Sequence, residues 1–205
     1  MRSATQPIRI AVIGSGAGSN ARALCAYAQG ALSSYQVSLI ISTKGSAGIV
    51  GVAHEFSVPC CVLERTETFE QEVLETLVYH QIDVLLLAGL LRHLPTSVIQ
   101  AMHGNVMNIH PSLLPRHGGK GMYGVHVHRA VLAAGDHITG ATVHLVTKDY
   151  DEGRVVAKEQ LSVRLGESES ELQERVKALE HRLYPMAVDK FCAELAGSVC
   201  LVQIP

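Results

Sequence analysis

The stretch Val84-Leu85-Leu86-Leu87-Ala88-Gly89 offers no polar face to water. A segment so short and so apolar reads as a strand covered on both sides, as in the middle of a parallel sheet. Upstream segments repeat the theme: Ile8 to Ile13, Val37 to Ile41 and Val58 to Leu63. Between them lie helical stretches, from about Asn20 to Gln29, over 46–56, and from Glu67 to His80 with apolar residues at 69, 73, 74, 77 and 78. The order β-α-β-α-β-α-β implies right-handed crossovers and a doubly wound sheet. The expected class is α/β, a Rossmann-like three-layer sandwich with a mostly parallel central sheet. Thr139 to Val146 and Val155 to Val163 read as an appended β-hairpin. A long helix from about Glu167 to Leu195 follows, and Pro185 should kink or divide it. Without repeats or a low-complexity linker, residues 1–205 are expected to form one domain, with halves of about 8–105 and 106–205.

Ligands on such sheets sit at the carboxyl ends of the strands. At the first of these ends stands Gly14-Ser15-Gly16-Ala17-Gly18-Ser19-Asn20. A glycine-rich turn between strand and helix lets backbone N–H groups approach an anion, and phosphate is the natural guest. As a dinucleotide fingerprint the turn fails, because its third glycine comes one position early. The second strand also ends in Ser42-Thr43-Lys44-Gly45, with no acid for a ribose. Lys44 could meet a 2′-phosphate, which keeps a nicotinamide enzyme as a rival.

A second strand end carries Asn108-Ile109-His110-Pro111-Ser112-Leu113-Leu114-Pro115. Residues two apart on a strand share a face, so Asn108 and His110 can converge on one reacting group. Pro111 then ends regular pairing. A neutral donor beside a titratable one suits a developing oxyanion. Thr142 and His144 share a face of the neighbouring strand. A carboxylate would set the protonation of His110, and Asp149, Asp151 and Glu152 all lie in the next loop, where sequence chemistry alone does not choose among them. His126-Val127-His128 invites a metal, but residues two apart on a helix do not face each other, and no third ligand is marked. No metal is expected.

The formal net charge of -2 gives no electrostatic case for nucleic acid or an anionic membrane surface. No apolar run is long enough to span a bilayer, and the residues through Pro7 lack an apolar signal core. The five cysteines, Cys25, Cys60, Cys61, Cys192 and Cys200, are odd in number and lack C-x-x-C spacing, which fits a reduced cytoplasmic protein.

Taken in order, Ser15-Gly16-Ala17-Gly18-Ser19-Asn20, Ala88-Gly89-Leu90-Leu91-Arg92, Asn108 to Pro115, Gly140-Ala141-Thr142-Val143-His144-Leu145-Val146, Tyr150-Asp151-Glu152-Gly153 and Glu180-His181-Arg182-Leu183-Tyr184-Pro185 carry a resemblance. From about residue 8 onward the chain resembles the phosphoribosylglycinamide formyltransferases. The resemblance implies the formyltransferase fold, with a nucleotide-binding first half and a catalytic and folate-binding second half. It implies formyl transfer from 10-formyltetrahydrofolate to the amine of phosphoribosylglycinamide, in the third step of purine synthesis. Asn108, His110 and Asp151 match the catalytic set, with Asp151 keeping His110 cationic. Gly18, Ser19, Asn20, Lys177 and Glu180 match nucleotide-holding positions, Glu180 as partner of the amine. Leu91, Arg92, His93 and Leu94 match the pterin pocket, together with Asn108 and the facing loop Thr147, Lys148, Asp149, Tyr150 and Asp151. Thr142 and His144 match supporting positions. Partners are expected to be small molecules, and the assembly a monomer or homodimer.

The chain departs from the pattern in three places. Leu90 stands where an aromatic is frequent, Thr66 stands where some members carry a basic residue (with Arg65 adjacent), and the 118–124 loop is longer than in some relatives. Methionyl-tRNA formyltransferase would need a further C-terminal domain and a basic surface, and formyltetrahydrofolate hydrolase an N-terminal regulatory domain. A non-catalytic nucleotide-binding module would not need Asn108, His110 and Asp151 together.

Overall fold

The computed structural model describes residues 7–90 and 92–200, with side chains through 197. Leu91, expected at the pterin pocket, lies outside the described residues, and so does the side chain of Cys200. Seven strands form one sheet in the order β3-β2-β1-β4-β5-β6-β7. These are β1 (Ile8–Gly14), β2 (Tyr35–Ser42), β3 (Cys60–Val62), β4 (Val84–Leu87), β5 (Val106–His110), β6 (Ile138–Leu145) and β7 (Val155–Ser162). The first five run parallel, while β6 and β7 are antiparallel to their neighbours, so the hairpin is appended beside β5.

Alternation along the strands explains the layers. Ile10 and Val12 of β1 pack on one face, against residues of α1 (Ser19–Ala28), α2 (Gly48–Glu55) and the long helix α6 (Glu169–Cys200). Ala11 and Ile13 pack on the other, against α3 (Phe69–Tyr79) and α4 (Thr96–Ala101). Val84 and Leu86 divide from Leu85 and Leu87 in the same way. Val84, Leu85 and Leu86 are fully buried, as a mid-sheet strand requires. A further helix, α5 (Val125–Ala133), packs through Val131 against Leu172 and Val176 of α6.

Some boundaries differ from expectation, each for a physical reason. β3 is shorter, because Pro59 has no N–H to donate and pairing starts at Cys60. Helix α4 has six residues, too few for a helical period to stand out. Helix α6 starts at Glu169 because Ser168 and Glu171 form a capping box: the Ser168 N–H donates to the Glu171 carboxylate (2.9 Å) and the Glu171 N–H to Ser168 Oγ (3.3 Å). The same helix runs undivided through Pro185. Leu183, Tyr184, Ala187 and Val188 are buried in the core on both sides of the proline, so tertiary packing outweighs the missing N–H. The Tyr184 hydroxyl lies 3.1 Å from the Leu87 carbonyl and 3.0 Å from that of Met107, which ties α6 to the two strands that carry the site.

Among the described residues no helix is long and apolar enough to cross a membrane, and Cys25, Cys60, Cys61 and Cys192 are free thiols.

Candidate functional site

A cavity of about 720 Å³ opens at the carboxyl ends of β1, β4 and β5. Its first end is the glycine loop. Gly18 adopts φ 81 as the N-cap of α1, and a Cβ there would lie 2.7 Å from the Ile49 Cα, so a side chain is excluded by both conformation and space. Ser15, Gly16, Ala17 and Asn20 line the cavity, whereas Gly18 and Ser19 do not. The N-terminus of α1 has no side-chain cap, so its first-turn N–H groups are available to an anion.

Helix α6 supplies the wall beside this loop, through Gln173, Val176, Lys177 and Glu180. Asn20 Nδ2 donates to Glu180 Oε2 at 3.0 Å, while Asn20 Oδ1 is enclosed without a partner among the described residues. Burial pushes the Glu180 carboxyl up to about 7, against the opposing pull of the Asn20 amide and Lys177. Lys177 itself pairs with Glu174 at 2.6 Å.

At the far end stand Arg92, His93, Leu94, Asp149 and Tyr150. The His93 and Tyr150 rings meet edge to face with centroids 4.6 Å apart, joining the 92–94 segment to the loop after β6. Thr147 and Lys148 of that loop are exposed and do not line the cavity. The neighbouring base is Arg65 rather than Thr66. It donates to the carbonyls of His93 (3.1 Å) and Arg92 (3.2 Å) and lies 4.7 Å over the Phe69 ring.

Between the two ends, sheet register assembles the polar centre. β5 and β6 place Asn108 opposite His144 and His110 opposite Thr142. Asp151, in the loop after β6, has Oδ2 3.5 Å from His110 Nδ1 and Oδ1 3.5 Å from His144 Nε2. It also accepts the Gly119 N–H at 2.9 Å. Asp149 and Glu152 are exposed, and the histidines meet Asp151 alone of the three acids. Asp151 adopts φ 57, a left-handed conformation that turns its carboxylate inward. His144 Nδ1 donates to the Leu145 carbonyl (2.9 Å), which leaves Nε2 facing Asn108 Nδ2 at 3.3 Å. Thr142 is fully buried and works from behind: its hydroxyl donates to the Ser112 carbonyl (2.7 Å) and accepts the Leu114 N–H (3.1 Å), which fixes the turn after His110.

The electrostatics correct one expectation. Burial pushes the His110 imidazole below its ordinary value; Asp151 and the His117 carbonyl pull upward without making up the difference. Asp151 alone does not offset this, because desolvation is the larger effect. Burial also acts on Asp151, but the neighbouring His144 and His110 and the Gly119 N–H outweigh it and keep the carboxyl below the usual range.

His128 is the residue that sequence reasoning missed. The 126/128 pair invites a metal by sequence, yet only His128 faces inward: it is 2% exposed and lines the cavity, while His126 is exposed. Helical rotation of α5 against α6 decides this, and the apolar residues Val127 and Val131, four apart on the helix and flanking His128, are the sequence signal for the buried face. No cluster of metal-ligating side chains exists among the described residues. Burial, with His110 and Lys177, pushes His128 down to about 4. A histidine whose folded value is depressed contributes stability above its unfolded value of 6.5, and that contribution is lost as pH falls toward about 4. Glu180 acts in the opposite sense, its contribution being lost as pH rises through about 7. Expected from urea melts at pH 7 and pH 5: the stability of the wild type relative to His128→Gln falls with acid, by on the order of 1 kcal/mol. A pH-independent difference would show that His128 titrates normally.

The formyl transferase family model matches residues 8–188. The chain belongs to the formyl transferase family. Among members of that family, it is 36% identical to the crystal structure of phosphoribosylglycinamide formyltransferase from Brucella melitensis, with a TM-score of 0.85 over 92% of this chain and 97% of that one. It is 34% identical over 192 residues to the chloroplastic phosphoribosylglycinamide formyltransferase of Arabidopsis thaliana, covering 91% of this chain. To the trifunctional purine biosynthetic protein adenosine-3 of Homo sapiens it is 35% identical over 206 residues, or 95% of this chain. The chain spans 66% of the length of the Arabidopsis relative and 20% of the human one.

Proposed function

We propose that this chain transfers the formyl group of 10-formyltetrahydrofolate to the amine of 5′-phosphoribosylglycinamide, giving the N-formyl product and tetrahydrofolate. The observation that carries the reading is continuity: one cavity joins an anion-ready helix N-terminus, the Asn108–His110–Asp151 centre and the His93–Tyr150 end. A substrate with a phosphate at one end and an amine at the other spans the first two. A folate enters from the third, with its pterin beside Arg92, His93 and Leu94.

The nucleotide phosphate takes the N–H groups of the loop and of the first turn of α1. Gly18 and Ser19 act there through their backbone, and Asn20, Lys177 and Glu180 hold the rest of the nucleotide. The amine attacks the formyl carbon, and a tetrahedral oxyanion forms beside Asn108 and His110. His110 need not be charged beforehand, since negative charge growing on the formyl oxygen raises its affinity for a proton as the barrier is approached. Asp151, ionised, accepts the proton that the attacking amine loses, through water. Collapse breaks the bond from the formyl carbon to the folate N10, and the proton passes to that nitrogen. Relatives whose names carry this activity support the reading. So does the modest net charge, which suits small-molecule substrates better than nucleic acid.

The test is a spectrophotometric deformylation assay with a 10-formyl-folate donor, run with and without phosphoribosylglycinamide. Deformylation that depends on the nucleotide is the expected result. Release of formate without it would replace transfer by hydrolysis. No turnover, with phosphate-ester binding retained, would leave a binding module.

A further inference from the structure

We infer that His117 and Asp136 form a latch that positions His110, although neither reaches the reacting atoms. The inference rests on the transferase reading for its catalytic consequence, but not for its geometry. His110 Nε2 donates to the His117 carbonyl at 2.8 Å. That carbonyl belongs to a non-glycine residue at φ 54, a conformation the surroundings must hold in place. The His117 side chain supplies the hold, with Nε2 2.7 Å from Asp136 Oδ2. The other Asp136 oxygen accepts from Arg116 Nη2 at 2.6 Å, so adjacent residues converge on one carboxylate. The Asp136 side chain is 10% exposed, and its backbone N–H donates to the Val131 carbonyl in the turn that ends α5. The Arg116 carbonyl accepts from Ser112 Oγ at 2.6 Å, which fixes the same segment from its other side. His117 holds the Asp136 carboxyl below the usual range, consistent with a charged anchor.

A catalytic imidazole is oriented, and its protonated nitrogen chosen, by the partner of its other nitrogen. The titratable groups that act on or are acted on by His110 are Asp151 from the loop after β6, His144 on β6, His117 from the loop after β5 and His128 on α5. Nδ1 faces Asp151 across 3.5 Å, too long to fix the ring alone. The His117 carbonyl makes the shorter contact, so the ring follows that carbonyl and the carbonyl follows Asp136.

Asp136→Ala, His117→Ala and His117→Gln in the full chain test this. The readouts are kcat against pH, KM for each substrate, and NMR titration of the His110 ring without substrate. Asp136→Ala and His117→Ala should lower kcat about 10-fold with both KM values unchanged. Asp136→Ala should also move the His110 titration to lower pH, because the carbonyl bond is one of the interactions that raise it, whereas His117→Ala also removes an imidazole that lowers it and should shift it less. His117→Gln should restore most of the loss, since its amide N–H can still reach the carboxylate. A folded Asp136→Ala with the wild-type titration and kcat profile overturns the latch, even if its melting temperature falls. Asp136→Asn is read by the same criteria if the alanine variant does not fold. Should the wild type show no transfer, the NMR titration still decides the latch, and the loss falls on the transferase reading alone.

Discussion

Replacing His110 by alanine, or Asp151 by asparagine, should lower turnover by about 10²-fold or more while leaving the fold intact, within the usual range for a general acid or an electrostatic partner. The two changes act differently. His110→Ala removes a buried ring that bonds the His117 carbonyl and faces the cavity, so on the proposed reading the oxyanion loses the imidazole beside which it forms. Asp151→Asn keeps the shape and can keep the Gly119 N–H bond, but removes the charge between two histidines 3.5 Å away on either side. With that charge gone, burial acts on His110 less opposed and its value falls further. Because the proton-donating form of His110 is the one populated below its own value, the active range of Asp151→Asn should shift toward acid. Single-turnover rates across pH, alongside circular dichroism, separate this from unfolding. Wild-type turnover in either folded variant would remove that residue from the chemistry.

How much of the molecule is legible in its sequence depends on the reach of each signal. The sheet is, because Val84 to Leu87 and Ile8 to Ile13 carry their burial in their own composition. So is the shared placement of Asn108 and His110 on the cavity wall, since a strand has period two and Pro111 ends it. Position in the cavity is less so. Gly18 and Ser19 belong to the loop by sequence, yet the turn presents Ser15, Gly16, Ala17 and Asn20 to the open volume. Composition cannot choose among Asp149, Asp151 and Glu152, because the choice is made by a left-handed backbone at Asp151 and by the approach of Gly119. The protonation of His110 is misjudged because a sequence shows which charges are available but not how deeply the group is buried. The start of α6 is legible by a different route, since Ser168 and Glu171 have capping-box spacing.

The hairpin that delivers Asp151 leads to the second large effect, expected at a residue with no chemistry of its own. Gly153 is buried where the loop after β6 turns back into β7, and a Cβ there would lie 1.6 Å from the Leu145 carbonyl oxygen. The obstacle is backbone, not the end of a flexible side chain, and the same strand end is held by the Leu145 N–H donating to the Arg154 carbonyl at 2.9 Å. Gly153→Ala must therefore displace one strand of the pair, at a cost of about 1–3 kcal/mol or more. Asp151 lies two residues earlier, so the displacement reaches the carboxylate, and a shift of about 1 Å there is enough for a loss of up to 10²-fold. The expected result is a lower melting temperature together with reduced turnover per folded molecule and little change in nucleotide binding, which the proposed function assigns to the opposite end of the cavity. Gly51→Ala is the control: it sits in α2 with nothing within 4 Å of the added Cβ, and should stabilise the protein by up to about 1 kcal/mol without touching turnover. If Gly153→Ala melts early but each folded molecule turns over normally, the hairpin is structural support only, and Asp151 is held by Gly119 and the histidines rather than by the turn.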